Sequence, residues 1–249
     1  MRRHGRGFIM DAAAVLFWIA VWHAGATFAN RSLLLKIPLP LDTLRVFLRL
    51  CGQEEFWRGV ASSVRHILCG FLSAAVLGTA GASASFASGW FRRLSAPLLR
   101  LIRTVPVAAF ILLAWLWIPS SVLPSVASAL MVLPVVWSHV DAGLASVDER
   151  PIEMAKAFGM SKWQTLIEVR LPLMSPILRT GCLTGVGVAW KAGVAAEVIC
   201  NPTGSIGALL QGAKAAIDYE RVFAVTLMVV LLSMLFENVL KLVWKERER

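Results

Sequence analysis

Two ionisable residues, Lys191 and Glu197, stand inside the apolar run from Leu173 to Ile199. A charge within such a run is costly and by default marks a function, such as a path for an ion or a polar solute. Six residues of α-helix turn through about 240°, so the two side chains point to different faces and do not form a simple internal pair. Lys191 falls roughly 27 Å along that helix, in the outer half of a bilayer. There it could meet an anionic solute, or its ammonium could reach outward to water while Glu197 sits at the outer interface. Both readings stay open on sequence alone. Arg65 and Arg179 read as boundary charges. The rest of the reactive inventory is thin. Cys51, Cys69, Cys182 and Cys200 show no ligand spacing, and His4, His23, His66 and His139 are scattered, which predicts no metal site and no cofactor. No HExxH, GxSxG or GxxxxGK[ST] occurs, so neither an intramembrane hydrolase nor an ATPase is expected.

The elements that would carry these residues are membrane spans. Of 249 residues, 57% are apolar and only 16% charged, and the mean hydropathy is +0.69. Soluble domains hold about 25% charged residues. Six stretches approach the about 20 residues that a spanning helix needs: Phe8–Ala29, Ser62–Phe86, Thr104–Ile118, Val122–Leu144, Leu173–Ile199 and Val222–Trp244. The first also resembles a signal peptide, with "MRRHGR" ahead of it and "ATFA" near its end, but its length, Asp11 and His23 favour an uncleaved helix. The chain reads as one integral-membrane domain over 1–249, an extra first span at 8–29 preceding a core at about 62–244.

With the N-terminus inside, the inner segments gather most of the lysines and arginines, including Arg92, Arg93, Arg100 and Arg103. This places both termini in the cytoplasm and makes the net charge of +10 a matter of topology rather than of nucleic-acid binding. Outside, "PLPLDTLRVFLRL" has Leu41, Leu44, Phe47 and Leu48 at helical spacing and should lie along the membrane surface. Ser205 should cap a short helix after the fifth span.

Between the fourth and fifth spans lies "EMAKAFGMSKWQTLIEVRLP", residues 153–172. Asp148 is a good N-cap, with Pro151 in the first turn. Met154, Ala157 and Phe158 make one apolar face. Gly159 ends the helix as a left-handed cap. Ser161 and Gln164 form a capping box that starts a second helix, whose apolar face is Trp163, Leu166 and Ile167. Leu171–Pro172 should stop that helix and launch the fifth span. Two amphipathic helices meeting at a glycine, tethered at both ends to spans, suit a knob that plugs into a partner; a solvated connector is the plain alternative.

These residues resemble the loop shared by inner-membrane permeases of ABC importers, of the form E-A-A, three residues, G, nine residues, I-x-L-P. Glu153-Met154-Ala155, Gly159 and Val169-Arg170-Leu171-Pro172 match its spacing, with Met154 in place of Ala and Val169 in place of Ile. "SSVRHILCGF", "RTVPVAA", "AWKAGVAAEVI" and "GSIGALL" are similar to the permeases for nitrate, sulfonates and taurine. The chain departs at Phe110-Ile111, where that group has a further Leu-Pro.

The resemblance implies an all-α membrane protein with six transmembrane helices and the type I ABC importer permease fold, its coupling helices lying in the cytoplasm between spans 4 and 5. It implies a homodimer forming the pathway, separate ATP-binding cassette ATPase subunits and an extracytoplasmic solute-binding protein. Glu153, Met154, Ala155, Phe158, Gly159, Trp163, Leu171 and Pro172 would couple to the ATPase. Lys191 and Glu197 would be candidates for the pathway. The solute would be a small anion or a vitamin precursor. A self-sufficient secondary transporter is the alternative, which would show two related halves with broken helices.

Overall fold

The structure, a computed structural model, describes residues 2–31 and 36–247, without the side chains of 2–9, 11, 12, 162 and 243–247. The described residues are helical throughout, joined by short turns. In chain order the helices are α1 (Arg2–Ala29), α2 (Pro40–Cys51), α3 (Glu54–Ala87), α4 (Gly89–Thr104), α5 (Val107–Ala114), α6 (Leu123–Ser146), α7 (Glu149–Ala157), α8 (Lys162–Gln164), α9 (Leu171–Cys200), α10 (Ile206–Ala215) and α11 (Tyr219–Arg247). A six-residue π-helix, Thr165–Arg170, joins α8 to α9.

At the centre, α6 packs along both α3 and α9. The shared core includes Ile67 and Phe71 from α3, Val132, Val136 and Val140 from α6, and Met174, Val186 and Trp190 from α9. Spans pack closely where a small residue removes bulk, and Gly70 does so here: a Cβ on it would collide with the Ser125 carbonyl and the Ser128 side chain. Polar ties cross the same contacts. Ser128 Oγ donates to the Ala189 carbonyl at 3.0 Å, and Trp190 Nε1 donates to the Val229 carbonyl of α11 at 3.0 Å.

Among the described residues, four helical stretches are long and apolar enough to cross a membrane: Glu54–Ala87, Leu123–Ser146, Thr165–Cys200 and Tyr219–Leu242. They carry the second, fourth, fifth and sixth expected spans. The third expected span, Thr104–Ile118, is not a straight helix. Pro106 bars helical backbone at the residue before it, and Val105 is extended, with φ −71° and ψ 124°. The chain bends there by 101°, so α4 and α5 make a fifth span only if counted together. The first expected span, Phe8–Ala29, falls within α1, of which Ala13–Ala29 is an apolar stretch of fully described residues.

A second correction concerns Leu171–Pro172. The helix does not stop there but runs on, through the π turn, from Thr165 to Cys200. Within it the Leu171 N–H reaches back to the Leu166 carbonyl. A proline lacks the next N–H and crowds the carbonyl four residues before it. The wider π turn just ahead of Pro172 relieves both demands.

As the leucine spacing predicts, α2 is amphipathic, but it is the opposite face that packs. Thr43 and Leu50 are buried, Phe47 packs against the core and the helix lies against α11, while Leu41, Leu44 and Leu48 stay exposed.

Candidate functional site

Glu197 is fully buried near the C-terminal end of α9. Its carboxylate accepts a 2.6 Å hydrogen bond from Ser63 Oγ and a 3.2 Å bond from the Gly207 N–H. The other oxygen lies 3.2 Å from His66 Nδ1. A buried carboxylate is tolerable only when such donors replace its water. The donors come from two elements. Ser63 and His66 are three residues apart and so share one face of α3. Gly207 lies in the first turn of α10, where unpaired N–H groups favour an anion. That turn is fully supplied: the Ile206 N–H bonds Ser63 Oγ at 2.9 Å, and the Ala208 N–H bonds Ser205 Oγ at 3.1 Å. Ser205 thus caps α10 as its sequence suggests. Gly207 is required by proximity, since a Cβ there would collide with Glu197 itself. Glu197 lies three residues from the end of α9, and there α3 and α10 enclose it rather than leaving it to water.

Lys191 has the opposite environment. It is exposed, six residues before Glu197, on another face of α9. Thr180 and Thr184, also exposed, stand 11 and 7 residues before it, within about 60° of its direction. One face of a membrane-spanning helix therefore carries three exposed polar side chains. Among the described residues Lys191 has no ion-pair partner.

The loop after α6 follows its local code closely. Asp148 Oδ1 accepts from the Arg150 N–H at 3.1 Å and caps α7. Gly159 has φ +75°, the Gly159 N–H bonds the Lys156 carbonyl and the Met160 N–H bonds the Ala155 carbonyl, each at 3.0 Å. That pair is a Schellman ending. Ser161 and Gln164 exchange reciprocal bonds of 2.9 and 3.2 Å. The apolar side chains then divide. Ile152 and Ala155 are buried against the chain's own π segment, whereas Met154, Phe158 and Trp163 are 60%, 82% and 69% exposed. Glu153, Leu171 and Pro172 are exposed as well.

Sequence reasoning singled out Glu197 but missed Ser63, His66 and Gly207 as its partners. The available signal was the pair of polar residues on one face of an apolar helix. Their 134- and 131-residue separations from Glu197 carried no hint of contact. Among the described residues no group of three His, Cys, Asp or Glu side chains could hold a metal ion.

A helical membrane bundle with exposed polar side chains on one face of a central span, and a capped apolar loop at one end, has the form of a transport subunit. The profile of the binding-protein-dependent transport system inner membrane component matches residues 69–247, and the chain belongs to that family. It is thus a multi-pass inner-membrane permease subunit of an ABC importer. It is 29% identical to the taurine transport system permease protein TauC of Escherichia coli, over 88% of this chain and 81% of that protein. It is 26% identical to the riboflavin transport system permease protein RibX of Chloroflexus aurantiacus, over 84% and 78%. Among solved structures, an amino acid ABC transporter matches with a TM-score of 0.64 at 17% identity, covering 77% of this chain and 94% of that one. A bacterial ABC transporter for the acidic polysaccharide alginate matches at 0.62 and 13% identity, covering 98% and 96%. At such identities these two speak for the fold alone.

Proposed function

We propose that this permease works as a pair of identical subunits, driven by separate ATP-binding cassette subunits and fed by an external solute-binding protein. In this reading the α7–α8 loop lies in the cytoplasm and couples the pair to the ATPases through Met154, Phe158 and Trp163. Glu153, Ala155, Gly159, Leu171 and Pro172 shape and orient that surface. The observation that carries the reading is the exposure of three large apolar side chains on a loop whose caps are all satisfied. A merely solvated connector has no reason to present them.

The solute is a small organic anion of the sulfonate or taurine kind. The name of the taurine permease relative supports this, as does the open Lys191 beside Thr180 and Thr184. A polar helix face is costly against lipid and belongs on a water-filled path. Glu197 serves that path from behind, by holding α9, α3 and α10 together, rather than by touching solute.

The test is uptake by the subunit reconstituted with its ATPase and binding protein. Lys191→Met keeps the bulk and removes the charge. Uptake should fall about tenfold, the equivalent of about 1.4 kcal/mol of anion stabilisation, with ATPase association unchanged. Full uptake by the variant would send Lys191 back to a snorkelling role. Uptake by the wild-type chain without any ATPase would favour a self-sufficient transporter.

A further inference from the structure

Helix α4 has a surface that the transport reading does not use. Trp90, Leu94, Leu98 and Leu101 are 72%, 57%, 57% and 59% exposed, and they form one row along it. The opposite side is fastened down. Ser95 and Ile102 are buried, and Phe91 stacks on Trp137 at 6.2 Å between ring centroids. Arg92 pairs with Asp141 at 2.8 Å, and Arg103 donates to Ser138 Oγ at 3.0 Å. Arg93 and Arg100, which flank the exposed row, have no such partner among the described residues and are exposed. The segment 88–105 contains four arginines and no acidic residue.

The attachment points fix the tilt of the helix. Arg92 and Arg103 are 11 residues apart, about 16 Å of α4, whereas their partners, Asp141 for the first and Ser138 and the Pro134 carbonyl for the second, span about 4.5–10.5 Å of α6. α4 therefore crosses α6 obliquely, and since α6 spans the membrane, α4 leans towards the membrane plane. Asp141 is about 8 Å from the end of α6 at Ser146. The Arg170 guanidinium sits 5.6 Å from the Phe86 ring centroid, which puts the start of α4 at the same end as the loop. A helix at that depth, with an apolar row and flanking arginines, has the form of an interfacial amphipathic helix.

We infer that α4 is a docking surface for anionic phospholipid in the leaflet on the loop side, with Arg93 and Arg100 binding headgroup phosphates beside the inserted Trp90–Leu101 row. The charge pattern favours this occupant over a second copy of the chain. A two-fold contact sets the same patch against itself, and with no acidic residue in 88–105 it offers the arginines no opposite charge. Anionic headgroups attract each basic residue at the surface by the equivalent of about fivefold in affinity, so about 30-fold for the two.

The experiment places the full chain in nanodiscs of phosphatidylcholine that contain a minor fraction of brominated lipid. Trp90 emission is read as the difference between wild type and Trp90→Phe. Brominated phosphatidylglycerol should quench Trp90 more than brominated phosphatidylcholine at equal mole fraction. The excess should vanish in Arg93→Gln/Arg100→Gln and survive in Arg93→Lys/Arg100→Lys. Inorganic phosphate in solution should not displace the lipid. Unquenched Trp90 would mean that protein covers the row, and equal quenching by both lipids would mean that the arginines select nothing. A preference that persists in the glutamine variant, or that free phosphate abolishes, would equally overturn the inference.

Discussion

Glu197 and Ser63 form one unit with the first turn of α10. Ser63 Oγ donates to the carboxylate while accepting from the Ile206 N–H, so the hydroxyl is used twice. Ser63→Ala leaves that N–H without its partner in a buried place and removes one of the two donors on Oε2, which keeps the Gly207 N–H. Each unsatisfied group costs about 1–3 kcal/mol. Glu197→Gln keeps the shape, but it sets an amide N–H₂ where donors already converge, and it should destabilise by a similar amount. Because both variants break the same network, the double variant should lose less than the summed singles, by about 0.5–3 kcal/mol. Thermal unfolding of the detergent-solubilised chain measures all three. Strict additivity would mean that the two groups act independently and that they share no network. At this scale the sequence was half legible. A carboxylate in an apolar run announces itself, because its cost is local. Its donors do not, because serine and histidine are ordinary residues until the fold brings α3 beside α9.

The loop helices were the most legible elements, since every signal in them acts within five residues. Asp148, Gly159, Ser161 and Gln164 each form the bonds that their types and spacing specify. The misreadings came from prolines. Pro172 reads as a stop, yet a preceding π turn lets the helix pass, and nothing in the local sequence announces that turn. Pro106 lies within an apolar stretch that hydropathy joins into one span, whereas backbone sterics divide it. The loop also allows a clean separation of coupling from stability. Phe158 is 82% exposed, so Phe158→Ala should leave thermal stability within about 0.5 kcal/mol. If Phe158 is an anchor in the ATPase contact, its removal costs about 2 kcal/mol or more of association. Gly159→Asp should weaken association likewise, at a modest cost to the fold. A Cβ there meets nothing within 4 Å, so the fold suffers only from the left-handed backbone, by about 1–2 kcal/mol. Co-purification with the ATPase, read beside a melting curve, decides the matter. Normal association in both variants would reduce the loop to a connector.

On the scale of the whole molecule, the contacts sort the chain into two ends without reference to any charge count. Arg170 over Phe86, and Arg92 paired with Asp141, hold the loop, the α3–α4 junction and the end of α6 together. Glu197, bonded to Ser63 and Gly207, holds the start of α10 to the opposite end of α3. The bundle thus predicts that Ala87–Gly89 and Ser161 share one side of the membrane and that Thr203 lies on the other. Charge supplies the direction. The arginines of α4 and the basic residues of the loop favour the cytoplasm for the first end, because lysine and arginine accumulate there. Small tags inserted at these positions, probed in sealed cells and in inverted vesicles, test both statements at once. Ala87–Gly89 and Ser161 should react only in inverted vesicles, and Thr203 only in cells. Reversal of all three together would keep the fold and invert the orientation, which would remove the loop from the compartment where ATP is hydrolysed. A split between Ala87–Gly89 and Ser161 would contradict the packing of α3 on α6 and α9, on which every site described above depends.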